Sequence, residues 1–172
     1  KLFQDLGLNS YHWKKNGQFI GLMVKRNKQQ GKPLLSDFEK NDCITQLDIC
    51  KSPQENYWPQ IVDFKQLYKE NKDSLFILNK RNPQKILESF KKWNNYLKRL
   101  FTFNPELVKN KTELGFLKLV QQHYQSVERF FKNQKRAKFL VFDIEKDNPQ
   151  KLSKYIDIQG IKEFPWENKN TP

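Results

Sequence analysis

Short apolar runs typical of buried β-strands alternate along this chain with longer runs of helical periodicity. The strand-like runs are LNSYHW, CITQLDI, SLFILN and KFLVFDI. Because strands that are apolar throughout suit a sheet covered on both faces, they favour a mainly parallel sheet between two layers of helices. The alternation therefore predicts an open α/β fold, and 172 residues suit a single domain over residues 1–172.

Glycine and proline residues mark where the helix-like runs begin and end. A first helix closes at Gly7, and the run FIGLMVKRNKQQGKP stops at Gly31 and Pro33. Proline in the first turn loses no intrahelical hydrogen bond, so a helix is expected from about Pro83 to Phe101. The remaining helix-like runs are WPQIVDFKQLYKEN, TELGFLKLVQQHYQSVERFFKNQ and NPQKLSKYI.

The formal charge of +13 favours anionic partners, such as nucleic acid, acidic lipid headgroups or a small phosphorylated or sulfated ligand. With 14 Phe, 6 Tyr and 4 Trp, the composition is that of a globular protein. Cys43 and Cys50 lack the spacing of a zinc site or a disulfide framework, so reduced thiols and no metal are expected. The apolar runs are too short to span a membrane, and the sequence predicts a soluble, cytoplasmic protein, with the Golgi lumen as the alternative if an upstream anchor is missing.

The segment LNKRNPQKILESF, from Leu78 to Phe90, joins a strand-like run to a helix-like run. In open α/β sheets, ligands bind beyond the carboxyl ends of the strands, where helix N-termini offer free N–H groups to anions. Arg81 leaves the strand at this end, and a guanidinium can grip a phosphate through two parallel hydrogen bonds. Ser89 follows within the helix, and its hydroxyl is predicted to donate to the same anion. The alternative for Arg81 is an ion pair with a surface carboxylate.

The strand, the Arg, the Asn-Pro pair and the Ser in FILNKRNPQKILESF resemble the 3′-phosphate-binding segment of sulfotransferases that use 3′-phosphoadenosine 5′-phosphosulfate (PAPS). Other segments resemble parts of that family in the same order along the chain, namely LGLNSYHW, TELGFLKLVQQHYQSVERFF, AKFLVFDIEKDNPQKLSKYIDI and FPWENKN. The resemblance covers nearly the whole sequence. It implies a P-loop-like α/β sulfotransferase fold, with PAPS as donor, no metal, and sulfuryl transfer to a hydroxyl or amine acceptor of unknown identity.

The resemblance also implies roles for single residues. Transfer requires a base, for which Asp48, near the end of the run CITQLDI, is the first candidate and His12 the second. Phe142 is a candidate for stacking on the adenine ring, with core packing as its alternative role. Lys169 is a candidate for adding positive potential near the 3′-phosphate, with a solvated surface lysine as the alternative. His123 lies within a helix and resembles part of the scaffold.

One part of the family pattern does not occur in this sequence. Sulfotransferases hold the 5′-phosphosulfate in a strand-loop-helix whose Lys and Gly-Thr-Thr-like residues form an anion cradle. Here the glycines are scattered singly, and there is no GxxxxGK. If the helix ending at Gly7 is the one that follows this cradle, the sequence begins just downstream of it and the domain is N-terminally incomplete. A chain without the cradle is expected to bind the donor weakly and to transfer sulfate slowly or not at all.

Two further functions are compatible with the sequence. The missing cradle suggests a catalytically silent relative that retains the fold and serves as a binding module. The charge of +13 suggests a nucleic-acid-binding protein, but the basic residues are spread over all segments and no zinc-finger, RNP-like or basic-helix signature occurs. Nucleic acid is therefore the less favoured partner.

Overall fold

The computed structural model describes residues 2–158 as a mixed α/β protein. The helices in this range are α1 (Leu2–Asp5), α2 (Ile20–Gln29), α3 (Pro59–Val62), α4 (Phe64–Glu70), α5 (Pro83–Lys92), α6 (Tyr96–Phe103) and α7 (Glu113–Lys132). The strands are β1 (Ser10–His12), β2 (Lys14–Lys15), β3 (Gln18–Phe19), β4 (Cys43–Gln46), β5 (Ile49–Cys50), β6 (Asn56–Tyr57), β7 (Leu75–Lys80) and β8 (Lys138–Asp143). Short 3₁₀ helices cover Lys109–Lys111 and Pro149–Lys154. None of the helices described is both long and apolar enough to cross a membrane.

The strands form three small sheets. One sheet has the order β3-β2-β1-β4, in which β1 and β4 run parallel and the other neighbours antiparallel. β7 and β8 form a parallel pair over six residues each, and β5 and β6 form an antiparallel pair. The predicted α/β class is therefore present, and SLFILN and KFLVFDI pair in parallel as β7 and β8. One large parallel sheet is not found within residues 2–158.

Side-chain packing, rather than a continuous hydrogen-bonded ladder, joins the two parallel strand pairs. Phe76 of β7 packs against two core clusters, one that includes Ile20 and Val24 of α2 and one that includes Val127 and Phe131 of α7. Full burial of a phenylalanine side chain stabilises a fold by about 1.5–3 kcal/mol, and Phe76, which is partly buried, contributes a part of this. The hydrophobic core is therefore continuous across a gap in the backbone hydrogen bonding.

Two of the predicted helices are each divided in the structure. The run WPQIVDFKQLYKEN forms α3 and α4, which meet at Asp63, a buried carboxylate bound by Lys28 and Tyr57. The predicted helix from Pro83 to Phe101 ends at Lys92, and α6 begins after Asn95, whose backbone is left-handed with φ 53°. A buried charge requires partners from elsewhere in the fold, so the sequence periodicity did not predict the break at Asp63.

The start of α5 lies directly after β7, as the sequence predicted. Pro83 occupies the first turn, and the side chain of Asn82 accepts a hydrogen bond from the N–H of Gln84 at 2.9 Å. This cap satisfies one of the free N–H groups that begin every helix. The N-terminus of α5 is thereby fixed at the carboxyl end of the parallel pair β7–β8.

Candidate functional site

A pocket of about 200 Å³ lies at the carboxyl end of β7, beside the first turns of α5. The residues that line it are Asn79, Arg81, Ile86, Ser89, Phe90, Tyr124 and Ile144. We call it the anion pocket, because the structure brings both predicted phosphate ligands, Arg81 and Ser89, to its wall. Arg81 follows β7 and Ser89 lies within α5, and the turn between the two elements brings both residues to the same pocket.

Arg81 is fixed through both its backbone and its side chain. Its N–H donates to the hydroxyl of Tyr124 at 3.2 Å, and that hydroxyl lies 3.4 Å from the carbonyl oxygen of Arg81. Its Nε donates to Oε1 of Glu145, which lies 3.5 Å away. The ion pair that the sequence left as an alternative role for Arg81 is thus present in the structure.

The carboxylate of Glu145 lies among several donors at the start of α5. Nζ of Lys85 is 2.9 Å from Oε1, and the N–H of Asn82 donates to Oε2 at 3.4 Å, in addition to the contact with Arg81. These contacts, that of Lys85 foremost, lower the pKa of the Glu145 carboxyl. An internal anion therefore already occupies donors that a bound phosphate would use.

A larger cavity, of about 510 Å³, lies at the opposite end of α5 from its cap. Its lining residues are His12, Trp13, Gln46, Asp48, Cys50, Lys51, Trp93, Tyr96 and Arg99. We call it the tryptophan cavity. Both candidate bases, Asp48 and His12, line it, so the fold brings together two residues that are 36 positions apart in the sequence.

Asp48 lies between β4 and β5 and is held by side-chain donors. Its Oδ1 accepts from Nε2 of Gln60 at 2.9 Å, and its Oδ2 lies 3.4 Å from both Nε2 of Gln46 and the hydroxyl of Tyr96. Burial raises the pKa of the Asp48 carboxyl, and these hydrogen bonds oppose that effect only in part. A raised pKa makes the carboxylate a stronger proton acceptor near neutral pH.

Close packing of α2 positions the segment that carries Asp48. A Cβ atom on Gly21 would lie 2.8 Å from the carbonyl oxygen of Leu47 and 2.8 Å from Cγ2 of Ile49. Only a residue without a side chain permits this approach. Gly21 therefore sets how near α2 comes to the residues on either side of Asp48.

His12 occupies a more open position than Asp48. The ring is exposed, and its Nδ1 lies 3.2 Å from Oγ1 of Thr45 on the neighbouring strand β4. Thr45 also donates to the carbonyl oxygen of Tyr11 at 3.2 Å. These contacts orient the ring of His12. Asp48 is likewise held by hydrogen bonds, and burial in addition raises the pKa of its carboxyl.

Aromatic rings connect the two cavities. Phe90, which lines the anion pocket, stacks on Trp93 with ring centroids 5.4 Å apart and meets Tyr96 edge-on at 4.7 Å. Trp93 and Tyr96 in turn line the tryptophan cavity. The two cavities thus share a wall formed by the end of α5 and the start of α6.

Among the described residues, Phe142 and His123 do not line either cavity. Phe142 is buried in a core cluster with Leu2 and Leu152, which suits its alternative role in core packing. His123 packs edge-on against Phe64 at 6.2 Å, as expected of a scaffold residue. Lys169 lies outside the described residues.

Tyr96, Arg99 and Glu145 are among the lining or contact residues that were not predicted from the sequence. Tyr96 and Arg99 face the tryptophan cavity because the chain turns at Asn94 and Asn95, within the run predicted to form one helix. The pair of asparagines was an available signal, since Asn adopts the left-handed conformation more readily than most residues. Glu145 reaches Arg81 across 64 positions, and no local pattern indicates such a contact.

Within residues 2–158, no group of three His, Cys, Asp or Glu side chains is arranged to hold a metal ion. The chain matches no family model, and neither curated proteins nor solved structures gave a match. The geometry of the two cavities and the resemblance of the sequence to PAPS-dependent sulfotransferases are therefore the two grounds for a proposed function.

Proposed function

We propose that this chain is a sulfotransferase-type domain that binds PAPS and transfers its sulfuryl group to a hydroxyl or amine acceptor. The observation that carries the proposal is that Arg81 and Ser89 line one pocket beside the capped N-terminus of α5. In this proposal, the parallel pairs β1–β4 and β7–β8, which lie in separate sheets here, correspond to the parallel strands of the P-loop-like sulfotransferase fold.

The anion pocket would hold the 3′-phosphate of the donor. The guanidinium of Arg81 and the hydroxyl of Ser89 supply donors, and the start of α5 adds a partial positive charge. The phosphate would displace the carboxylate of Glu145 from Arg81, because both anions need the same donors. Hydrogen bonds to a charged group contribute about 1.5–3 kcal/mol each, so loss of Arg81 should be readily measured.

The tryptophan cavity would hold the acceptor, since it shares a wall with the anion pocket and contains both candidate bases. The acceptor oxygen or nitrogen attacks the sulfur of PAPS, and a new bond to sulfur forms as the bond between sulfur and the 5′-phosphate oxygen breaks. Asp48 takes the proton that the acceptor loses, with His12 as the second candidate. The products are the sulfated acceptor and 3′-phosphoadenosine 5′-phosphate.

Calorimetric titration with 3′-phosphoadenosine 5′-phosphate tests the donor site. Arg81→Ala should weaken binding at least ten-fold, corresponding to about 1.4 kcal/mol or more. Arg136→Ala is the matched control, because Arg136 is exposed and lies just before β8, at the amino end of the same parallel pair. Equal affinities of the two variants would refute the assignment of Arg81, as would equal binding of adenosine 5′-phosphate, which lacks the 3′-phosphate.

A second candidate function is a catalytically silent binding module. It is favoured by the occupation of Arg81 by Glu145. A silent module that does not use nucleotides would bind no 3′-phosphoadenosine 5′-phosphate even after Glu145→Gln. Salt-sensitive binding to arbitrary DNA or RNA would instead favour the nucleic-acid alternative.

A further inference from the structure

Two tryptophans that line the tryptophan cavity keep much of their surface in solvent. Trp13 is 37% exposed and Trp93 is 47% exposed, although large apolar rings are usually buried. They come from separate segments, Trp13 from the turn between β1 and β2 and Trp93 from the break between α5 and α6. Exposed aromatic surface gathered around one cavity indicates a binding site more than a packing defect.

The backbone of Trp13 gives an independent sign that its ring has a function. Its φ is 63°, in the left-handed region that bulky residues rarely adopt. In the next turn, between β2 and β3, Asn16 and Gly17 occupy this region, as is usual for these residues. Backbone strain of this kind costs about 1–3 kcal/mol and is commonly kept where a side chain acts on a ligand.

The ring of Trp13 is also held in place. It packs on Phe19 with centroids 4.9 Å apart, and Nζ of Lys14 lies 5.4 Å from the ring centroid. The carbonyl oxygen of Trp13 accepts a hydrogen bond from the N–H of Ile20 at 3.0 Å. The strained residue is therefore presented at the cavity in a fixed orientation.

Hydrogen-bonding groups of several kinds line the same cavity. Gln46 provides an amide, Asp48 a carboxylate, Tyr96 a phenol and His12 an imidazole. Arg99 adds a guanidinium whose Nε and Nη1 are anchored by the carbonyl oxygens of Cys50 at 3.1 Å and Asn94 at 2.8 Å. A ligand with one polar group would use few of these donors and acceptors, whereas a polyhydroxylated ligand would use many.

The volume of about 510 Å³ falls within the usual range of small-molecule sites. A pyranose ring presents axial C–H groups on its faces, which pack on indole rings, and hydroxyl groups at its edge, which bond to amide, carboxylate and guanidinium groups. From the two exposed tryptophans and the polar lining, we infer that the tryptophan cavity binds a pyranose ring of a carbohydrate. This inference deepens the proposed function, on which it rests for the assignment of the cavity to the acceptor.

Titration of the whole chain with cellobiose, maltose and N,N′-diacetylchitobiose tests the inference, followed by tryptophan fluorescence and ligand-observed NMR. At least one disaccharide should bind, and both Trp13→Gly and Trp93→Ala should weaken that binding at least ten-fold. Trp13→Phe should retain most of the affinity, because it keeps an aromatic face. Leu114→Ala is the control, since Leu114 is 61% exposed but does not line the cavity.

Thermal unfolding of Trp13→Gly separates a functional from a structural role. Glycine relieves the left-handed strain, so this variant should unfold at the same or a higher temperature while it loses sugar binding. Absence of binding to all three sugars would overturn the inference, as would sugar binding that neither tryptophan substitution changes. p-Nitrophenol, titrated in the same way, is the aromatic comparison ligand, and its binding without binding of any sugar would also overturn the inference. Titration with 3′-phosphoadenosine 5′-phosphate in the same variants tests the donor site separately, so failure of one proposal is distinguishable from failure of the other.

Discussion

Nε of Arg81 lies 3.5 Å from Oε1 of Glu145, although the two residues are separated by 64 positions in the sequence. The contact brings the segment that follows β8 to the turn between β7 and α5. Glu145 also binds Lys85 and the N–H of Asn82. Arg81, one of the donors proposed for a nucleotide phosphate, is thus engaged by a carboxylate of the same chain.

Removal of this competing charge should strengthen nucleotide binding. Glu145→Gln is expected to tighten binding of 3′-phosphoadenosine 5′-phosphate roughly two- to five-fold, since an exposed ion pair competes only weakly for Arg81. Glu106→Gln, which removes the same charge at an exposed position outside the pocket, should leave the affinity unchanged. Calorimetry on the three proteins measures the effect, and weaker binding by Glu145→Gln would show that Glu145 supports the ligand instead.

Ser89 should contribute specifically to recognition of the 3′-phosphate. Ser89→Ala removes one hydroxyl donor and is expected to weaken binding of 3′-phosphoadenosine 5′-phosphate by about ten-fold, while the fold is retained because alanine favours helices. Adenosine 5′-phosphate should bind the variant and the parent chain equally. A loss of the same size for both nucleotides would place Ser89 elsewhere than at the 3′-phosphate.

Asp48→Asn should abolish most sulfuryl transfer and leave donor binding intact. General bases typically contribute roughly 10²–10⁴-fold to the rate, and asparagine cannot accept the proton. Release of 3′-phosphoadenosine 5′-phosphate from PAPS, with sugars or phenols as acceptors, measures the rate. If His12→Ala lowers the rate more than Asp48→Asn does, the base is His12 and the order of the two candidates is reversed.

The raised pKa of Asp48 also predicts how stability depends on pH. As the pH rises above the ordinary pKa of aspartate, Asp48 loses its proton in the unfolded chain but keeps it in the folded one. The folded state therefore loses stability from that pH up to the raised pKa, and is destabilised fully above it. Urea unfolding from pH 4 to pH 8 measures this loss of stability in the parent chain. The Asp48→Asn variant, which cannot titrate at this position, should not show it. Parallel curves for the two proteins would contradict the raised pKa.

Gly21→Ala should destabilise the fold even though alanine is the better helix former. The new Cβ would meet the carbonyl oxygen of Leu47 at 2.8 Å, and backbone cannot yield as a flexible side chain does. The expected net loss is about 1–3 kcal/mol, because the clash outweighs the gain of about 1 kcal/mol in helix propensity. Gln29→Ala, at an exposed position of the same helix, should be neutral or stabilising. Denaturant unfolding of both variants checks the sign.

Local signals in the sequence predicted most elements correctly but not all of them. The helix ends at Gly7 and Gly31 have φ of +74° and +65°, as glycine after a helix suggests. The hairpin of β2 and β3 was missed, although Asn16-Gly17 is a strong turn signal, because its strands have only two residues each. Sequence periodicity gave no warning of such short strands.

The sequence by itself determined the strand-to-helix junction that carries Arg81, because a capping asparagine, a first-turn proline and an apolar strand act over a few neighbouring residues. Only the tertiary structure decided which side chains share a cavity. Asp48 meets Tyr96, and Arg81 meets Glu145, because packing of helices on strands closes long loops, and the outcome depends on the whole core at once. No local sequence pattern predicts contacts between residues so far apart in the chain, so the two cavities could be identified only from the folded structure.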